Sequence, residues 1–231
     1  MGLDSPFRIA PGAAFANPVA VRGDETIMPQ PPQYPHAPSP SRASLTGRMR
    51  AGQLAPTNTK AALEAARNCP DAWYRVQALA SVAEHAHPRL VLPILEEAAV
   101  EALACHDAYG RVAVMSWALR VALAQGCRGY AERELTRCLA LAVRVEPAAS
   151  QAYALETLWT ACFAIDPQHA RPVWNRILEL CHPDRSWRAA RLYLHVAELQ
   201  DSRTPGAGAA VIRAMPPGKT RSWLERRFRL A

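Results

Sequence analysis

Four aromatic residues recur in the same setting, each at or near the start of an apolar stretch with helical spacing. They are Trp73, Tyr109, Tyr153 and Trp187, and the steps between them are 36, 44 and 34 residues. Steps of this size are the period of stacked helix pairs, in which each pair buries its apolar side against the next one. The recurrence therefore predicts a repeat array rather than a fold around one central core.

Residues that begin and end helices stand at the borders of these stretches. Asp71 and Asp107 precede two of them and predict helix N-caps, and Pro88 suits the first turn of an intervening helix. Gly126 predicts the end of a helix. Because residues 59–202 lack the alternation typical of strands, the sequence predicts an all-α fold. We expect an α-solenoid of about four antiparallel helix pairs.

Apolar residues at helical spacing also predict which side of each helix is buried. In the helix after Pro88, the predicted buried residues are Leu92, Leu95, Ala99, Val100 and Leu103. In the helix after Gly126, they are Leu135, Leu139 and Val143.

Composition divides the chain into three parts. Residues 1–56 are rich in Pro, Ala and Ser, which predicts a disordered tail. Residues 57–204 contain the repeats and form the predicted helical domain. Residues 205–231 begin with a Pro-Gly break and end in a basic amphipathic helix.

The helix-opening motif reads Asp-Ala-Trp73-Tyr-Arg-Val-Gln-Ala-Leu-Ala-Ser-Val-Ala in its first copy. The second copy reads Asp-Ala-Tyr109-Gly-Arg-Val-Ala-Val-Met-Ser-Trp-Ala-Leu. Over about residues 59–202 the chain resembles the helical repeats of the tetratricopeptide and HEAT superfamilies. The resemblance implies an α-solenoid that presents a rigid concave surface to a peptide or a partner protein.

Charge is distributed unevenly along the chain, whose net charge is +7. Residues 60–202 carry 15 basic and 16 acidic residues, whereas residues 203–231 carry seven basic residues and one acidic residue. A solenoid that binds nucleic acid along its groove is expected to be basic in the repeats themselves. The neutral repeats therefore favour a protein partner.

Arginines near the repeat aromatics are the candidate partner-binding residues. Arg75 and Arg111 each stand two residues after an aromatic, and Arg188 follows Trp187 directly. In a stack, equivalent positions align along one face, where guanidinium groups can bind carboxylates of a partner. The candidates are Arg75, Arg111, Arg188 and Arg191. The alternative is that each one pairs internally, with acids such as Glu84, Asp107 or Glu156.

The basic C-terminal helix has two interpretations. Its cations and aromatic residues could bind an anionic membrane or nucleic acid, or its apolar side could cap the stack while the arginines stay in solvent. The candidate anion-binding residues are Arg221, Trp223, Arg226, Arg227 and Arg229.

Motifs for nucleotide or metal chemistry are incomplete. Gly218-Lys219-Thr220 matches the end of a phosphate-binding loop, but position 213 is Arg where the loop requires Gly. His and Cys pairs suggest zinc, namely His85, His87, Cys105, His106, Cys181 and His182. Structural zinc needs four convergent ligands. Since Cys69, Cys105 and Cys181 each precede a repeat aromatic by four to six residues, small buried side chains are the preferred interpretation. No cofactor or metal is predicted.

These observations favour a non-catalytic adaptor or scaffold that binds a protein or peptide on the concave face lined by the first helix of each pair. The alternatives are binding of nucleic acid or an anionic membrane through residues 220–230, and an enzyme whose reaction no motif identifies. No basic segment precedes the mildly apolar residues 7–21, so we expect a cytoplasmic protein. An effector exported without a cleaved signal peptide is the other possibility.

Overall fold

The computed structural model describes residues 41–230, which form eleven helices joined by short loops. In chain order they are α1 (Arg42–Leu54), α2 (Thr59–Arg67), α3 (Ala72–His85), α4 (Pro88–Ala102), α5 (Ala108–Ala124), α6 (Arg128–Ala142), α7 (Ala148–Ile165), α8 (Pro167–Leu180), α9 (Trp187–Arg203), α10 (Ala207–Ala214) and α11 (Lys219–Arg227). The predicted all-α fold is confirmed for this part of the chain.

Successive helices pack as antiparallel pairs, and the pairs stack in chain order. The first helices of the pairs, α1, α3, α5, α7 and α9, lie side by side in one layer. Each also packs against its own second helix, α2, α4, α6, α8 or α10, whereas the second helices have few contacts with one another. The described residues therefore contain five pairs, one more than the sequence suggests, followed by α11 against α10.

Side-chain caps explain where several first helices begin. Asp71 accepts a hydrogen bond from the Trp73 amide at 2.8 Å, and Asp107 accepts one from the Gly110 amide at 2.6 Å. Each carboxylate satisfies an N–H that the helix itself leaves unpaired. Gly126 follows α5 with φ of +74°, the left-handed conformation that ends helices. The predicted boundaries at these residues are confirmed.

The prediction of a disordered tail up to residue 56 is wrong for α1, while residues 1–40 lie outside the described residues. Ser41 caps α1. Ser44 and Ala51 are buried on the side of this helix that faces α2 and α3. A Cβ atom on Gly47 would stand only 2.7 Å from the Cys69 Sγ, so α1 approaches its neighbours closely through small residues. Small residues give little hydrophobic periodicity, which is why composition alone suggests a tail.

The predicted buried side of α4 is wrong for Leu92, Val100 and Leu103, which are exposed. The residues of α4 that face the stack are Val91, Ile94, Leu95, Ala98 and Ala102. Apolar residues occupy both sides of this helix, so periodicity alone does not decide between them. In α6, Leu135 is buried as predicted, Leu139 is half-buried and Val143 is exposed.

Two buried tyrosines differ in whether their hydroxyl groups are satisfied. The Tyr130 hydroxyl donates to the Leu95 carbonyl at 2.7 Å, while the Tyr193 hydroxyl has no hydrogen-bond partner among residues 41–230. A buried polar group without a partner costs about 1–3 kcal/mol, and a satisfied hydrogen bond contributes about 1 kcal/mol.

We therefore expect Tyr193→Phe to leave the free energy of unfolding unchanged or to raise it by about 1 kcal/mol. Tyr130→Phe, the matched variant, should lower it by about 1–2 kcal/mol. Urea denaturation of the full chain measures both values. An equal loss of stability in the two variants would show that the Tyr193 hydroxyl has a hydrogen-bond partner after all.

All six cysteines are free thiols, five of them buried, and only Cys127 is partly accessible. Burial raises the pKa of Cys105 to about 11 and the pKa values of Cys138, Cys162 and Cys181 to about 12. Because the thiolate is the reactive form, these side chains are protonated and unreactive near neutral pH.

Titration of the native protein with a thiol reagent at pH 8 should therefore show one fast-reacting group. Replacing Cys127 by serine should remove the fast phase and leave the other five thiols unreactive until denaturant is added. Several fast thiols in the native wild-type protein would show that the pairs open more readily than their packing indicates.

Candidate interaction surface

Rings at the beginning of successive first helices stack on one another. The Trp73 and Tyr109 centroids are 6.0 Å apart at an interplanar angle of 20°, and the Tyr109 and Tyr153 centroids are 6.1 Å apart at 25°. The Arg188 guanidinium lies 4.1 Å from the Tyr153 ring centroid and continues the stack into α9. We call Trp73, Tyr109, Tyr153 and Arg188 the aromatic row.

The aromatic row explains the sequence recurrence in structural terms. The first helices lie side by side with their N-terminal ends at the same edge of the stack, so residues near the start of each helix meet across the interfaces. Stacked rings contribute about 0.5–1.5 kcal/mol per pair beyond burial. Trp73 and Tyr109 are half-buried and Tyr153 is exposed, so the row stabilises the stack and also remains accessible to solvent.

Polar contacts link the first helices further along the same side. The Arg48 guanidinium donates to the Gln77 side chain at 2.8 Å, which joins α1 to α3. Arg120 on α5 forms a two-point ion pair with Glu84 on α3, at 2.9 and 3.1 Å. This hydrogen-bonded guanidinium lowers the pKa of Glu84.

On α7 and α9, the Glu156 carboxylate is 2.8 Å from the His195 Nδ1 and 3.7 Å from the Arg188 Nε. We call the aromatic row together with these polar groups the first-helix face. It carries rings at one end and fixed charges of both signs further along the helices.

Two of the four predicted partner-binding arginines make equivalent internal hydrogen bonds. The Arg75 Nε donates to the Cys69 carbonyl at 2.9 Å, and the Arg111 Nε donates to the Cys105 carbonyl at 3.1 Å. Each arginine therefore links its own helix, through this hydrogen bond, to the loop that precedes the helix. Arg75 also pairs with Glu101 on α4, the second helix of its own pair.

The other two predicted arginines lie on α9. Arg188 belongs to the aromatic row and stands near Glu156, one of the acids expected as an internal partner. Arg191 is exposed and forms no ion pair or hydrogen bond within residues 41–230. The four arginines therefore do not occupy one equivalent position in successive pairs. Leu155, not a third arginine, stands two residues after Tyr153.

The C-terminal helix α11 covers the end of the stack. Leu224 is fully buried, Phe228 packs against the core, and a Cβ atom on Gly208 of α10 would meet the Phe228 ring at 2.9 Å. Of the predicted anion-binding residues, Arg221 bonds to Glu225 and to the Met215 carbonyl. Arg227 pairs with Glu198 on α9 at 2.9 Å.

The remaining predicted residues of α11 face solvent. Trp223 is 43% exposed and lies under the Arg227 guanidinium, and Arg226 and Arg229 are exposed. Arg226 and Arg229 are therefore the predicted anion-binding cations that form no side-chain hydrogen bond or ion pair within residues 41–230, and Trp223 remains partly accessible beside them.

The segment that matches the end of a phosphate-binding loop holds a carboxylate of the protein itself. The backbone amides of Lys219 and Thr220 both donate to Asp184 at 2.9 Å, at the N-terminus of α11. A hydrogen bond with the Thr220 side chain, together with those from the two amides, lowers the pKa of Asp184. Although Asp184 stands just before α9, the N-cap of α9 is Ser186, and Asp184 instead holds the start of α11.

Within residues 41–230, no group of three or more His, Cys, Asp or Glu side chains is arranged to hold a metal ion. No helix in this described region is long and apolar enough to cross a membrane.

The aromatic residues of the row were recognised in the sequence as markers of a repeat, but not as members of one surface. The signal was their recurrence at the same place in successive repeats. The cross-helix pairs Glu84–Arg120 and Glu156–His195 had no such signal, since their members are 36 and 39 residues apart.

The fold defines the described part of the chain as an all-helical protein whose antiparallel helix pairs pack in chain order. Comparison with protein-family models, with curated proteins and with solved structures finds no match to this chain.

Proposed function

We propose that the protein is a non-catalytic interaction module of the tetratricopeptide or HEAT type, and that its first-helix face binds an extended segment of a partner protein. The observation that carries this proposal is the aromatic row, which crosses α3, α5, α7 and α9. Tyr, Trp and Arg are the residues most enriched at the energetic centres of protein interfaces.

The geometry of the row favours a particular kind of segment. Because Tyr109 and Tyr153 each lie between two members of the row, these rings present their edges, which carry partial positive charge. Arg188 and the exposed Arg191 add positive charge at the α9 end. An extended segment with apolar side chains against the rings and a carboxylate near Arg191 fits this pattern.

The test is selection of peptides from a random displayed library against the full chain, followed by affinity measurements on variants. Tyr153→Ala should weaken the selected peptides at least tenfold, which corresponds to about 1.4 kcal/mol. Arg191→Ala should weaken only those peptides that contain an acidic residue. Trp223→Ala is the matched control, because it removes an exposed aromatic side chain from α11.

Peptides whose affinity is independent of Tyr153 and Arg191 would contradict the proposed surface. Failure to select any peptide that binds the wild-type protein in the micromolar range would contradict the proposed function itself.

A second candidate function is binding of nucleic acid or an anionic membrane through α11, favoured by the exposed Trp223, Arg226 and Arg229. Only two cations of this set are free of internal pairing, so the salt dependence of affinity should be shallow, about two released counterions. Titration of single-stranded DNA and of phosphatidylserine vesicles into Arg226→Ala/Arg229→Ala and wild-type protein tests this function. Equal affinities would exclude it.

A further inference from the structure

The outward side of α4 is unusually apolar for a helix at a solvent-facing position. Val100 is 66% exposed and Leu103 is 65% exposed, the highest values for large apolar side chains among residues 41–230. With Leu92 and Glu96 they stand at positions i, i+4, i+8 and i+11, so they share one face of the helix. We call these four residues the outer stripe of α4.

The outward side of α8, the second helix of another pair, can be compared with the outer stripe of α4. On α8, the exposed residues at the corresponding spacing are Gln168, Arg171, Asn175 and Glu179, which are all polar. The stacking of helix pairs therefore does not require an apolar outer stripe. Exposed apolar patches rimmed by polar residues mark interaction sites.

Beside the outer stripe, a groove of about 360 Å³ lies where α4 and α6 separate above α5. Val100, Leu103 and Leu141 form its apolar sides. Glu134 is buried in its lining, where its carboxylate accepts from the Arg133 Nε at 3.0 Å and from Arg137 at 2.9 Å. Each guanidinium has five donors, so the exposed sides of both arginines keep donors for a second carboxylate.

We propose that the outer stripe of α4 and the α4–α6 groove form the interface of a symmetric dimer, in which the stripe of each copy packs into the groove of the other. A two-fold interface uses the same patch on both copies, so the patch must be self-complementary. This surface meets that requirement, because Glu96, Val100 and Leu103 of the stripe also line the groove, so a stripe that enters the partner's groove meets the same residues of the partner. The surface carries exposed charges of both signs, namely Glu96, which lies 3.9 Å from Arg133, and Arg137, which pairs with Glu134.

In this arrangement Val100 and Leu103 of one copy fill the groove of the other, and Glu96 of one copy faces Arg137 of the other. The first-helix face lies on the opposite layer of each copy, so the dimer leaves both aromatic rows accessible. The interface is independent of the proposed peptide-binding surface, and the two proposals can fail separately.

Sedimentation equilibrium of the full chain from about 1 µM to about 1 mM tests the dimer. We expect a monomer–dimer equilibrium for the wild-type protein. The variant Val100→Asp/Leu103→Asp should raise the dissociation constant at least 100-fold and leave the thermal melting of the monomer unchanged, because both side chains are exposed. The matched control is Gln168→Asp/Asn175→Asp, which adds the same charge to the outer side of α8 and should leave the dimer intact.

Disulfide cross-linking identifies the residues at the interface independently of the dissociation constant. In a Cys127→Ser background, Val100→Cys should form an intermolecular disulfide rapidly when an oxidant is added, and Asn175→Cys should not. A wild-type protein that stays monomeric over the whole range would overturn the proposal. So would a dimer that both double-aspartate variants weaken equally, or one that cross-links through position 175 and not through position 100.

Discussion

Replacement of Trp159 by alanine should lower the free energy of unfolding by about 3–5 kcal/mol. Trp159 lies in α7 with only 1% of its surface exposed, and its ring stacks on Phe163 with centroids 4.4 Å apart. Because α7 packs against α5, α8 and α9, it lies in the interior of the stack, and the cavity left by the indole ring has no solvent to fill it. Urea denaturation gives the free energy from the transition midpoint and slope.

Trp187→Ala is the matched control, since the Trp187 side chain is 54% exposed. It removes the same number of atoms but creates no cavity, so the expected loss is within about 0.5 kcal/mol. Comparable losses in the two tryptophan variants would contradict the burial that the stack gives to Trp159.

The second large effect concerns two glycines that should respond to alanine in opposite directions. A Cβ atom on Gly208 would stand 2.9 Å from the Ala197 carbonyl oxygen and 2.9 Å from the Phe228 ring. Gly208→Ala should therefore push α10 and α11 away from α9, at a cost of about 1–3 kcal/mol. Hydrogen exchange in α11 should become faster in the same variant, because Phe228 and Leu224 hold that helix to the stack.

Gly129 is also the second residue of its helix, but a Cβ atom there would meet no atom within 4 Å. Gly129→Ala should leave stability unchanged or raise it by up to about 1 kcal/mol, because alanine has the higher helix propensity. If Gly208→Ala also raises stability, α10 does not approach α9 as closely as the contact to Ala197 requires.

Helix boundaries were predictable where the information is local. Asp71 and Asp107 cap helices because a carboxylate next to free amides is favourable in any tertiary context. The recurrence of Trp73, Tyr109 and Tyr153 is likewise visible in the sequence, because stacking repeats one set of contacts at each interface.

The features that escaped prediction depend on packing between distant segments. Helix α1 uses Gly47 and Ala51 to approach its neighbours, and close approach of small residues leaves no periodic signal. Asp184 acts on Lys219 and Thr220, 35 and 36 residues later in the chain. The buried side of α4 was predicted wrongly for Leu92, Val100 and Leu103 because apolar residues such as Val91 and Leu92 occur on more than one side of the helix.

The same limit applies to the predicted site. Arg75 and Arg111 were correctly recognised as equivalent positions, but the sequence does not reveal that loop carbonyls lie within reach of both guanidinium groups. Whether these arginines also contact a partner stays a prediction. For α11, the amphipathic pattern indicated an apolar side, and the structure places Leu224 of that side in the core.

The sequential packing of the pairs has a consequence for how this chain acquires its structure during synthesis. Each pair contacts only the pairs before and after it, so a newly emerged pair finds its packing partner already folded. Topologies with short sequence separation between contacting residues fold quickly and expose apolar surface only briefly. The hydrogen bonds from the Lys219 and Thr220 amides to Asp184 span 35 and 36 residues, so the start of α11 cannot be held in place until the ribosome has released the chain through Thr220.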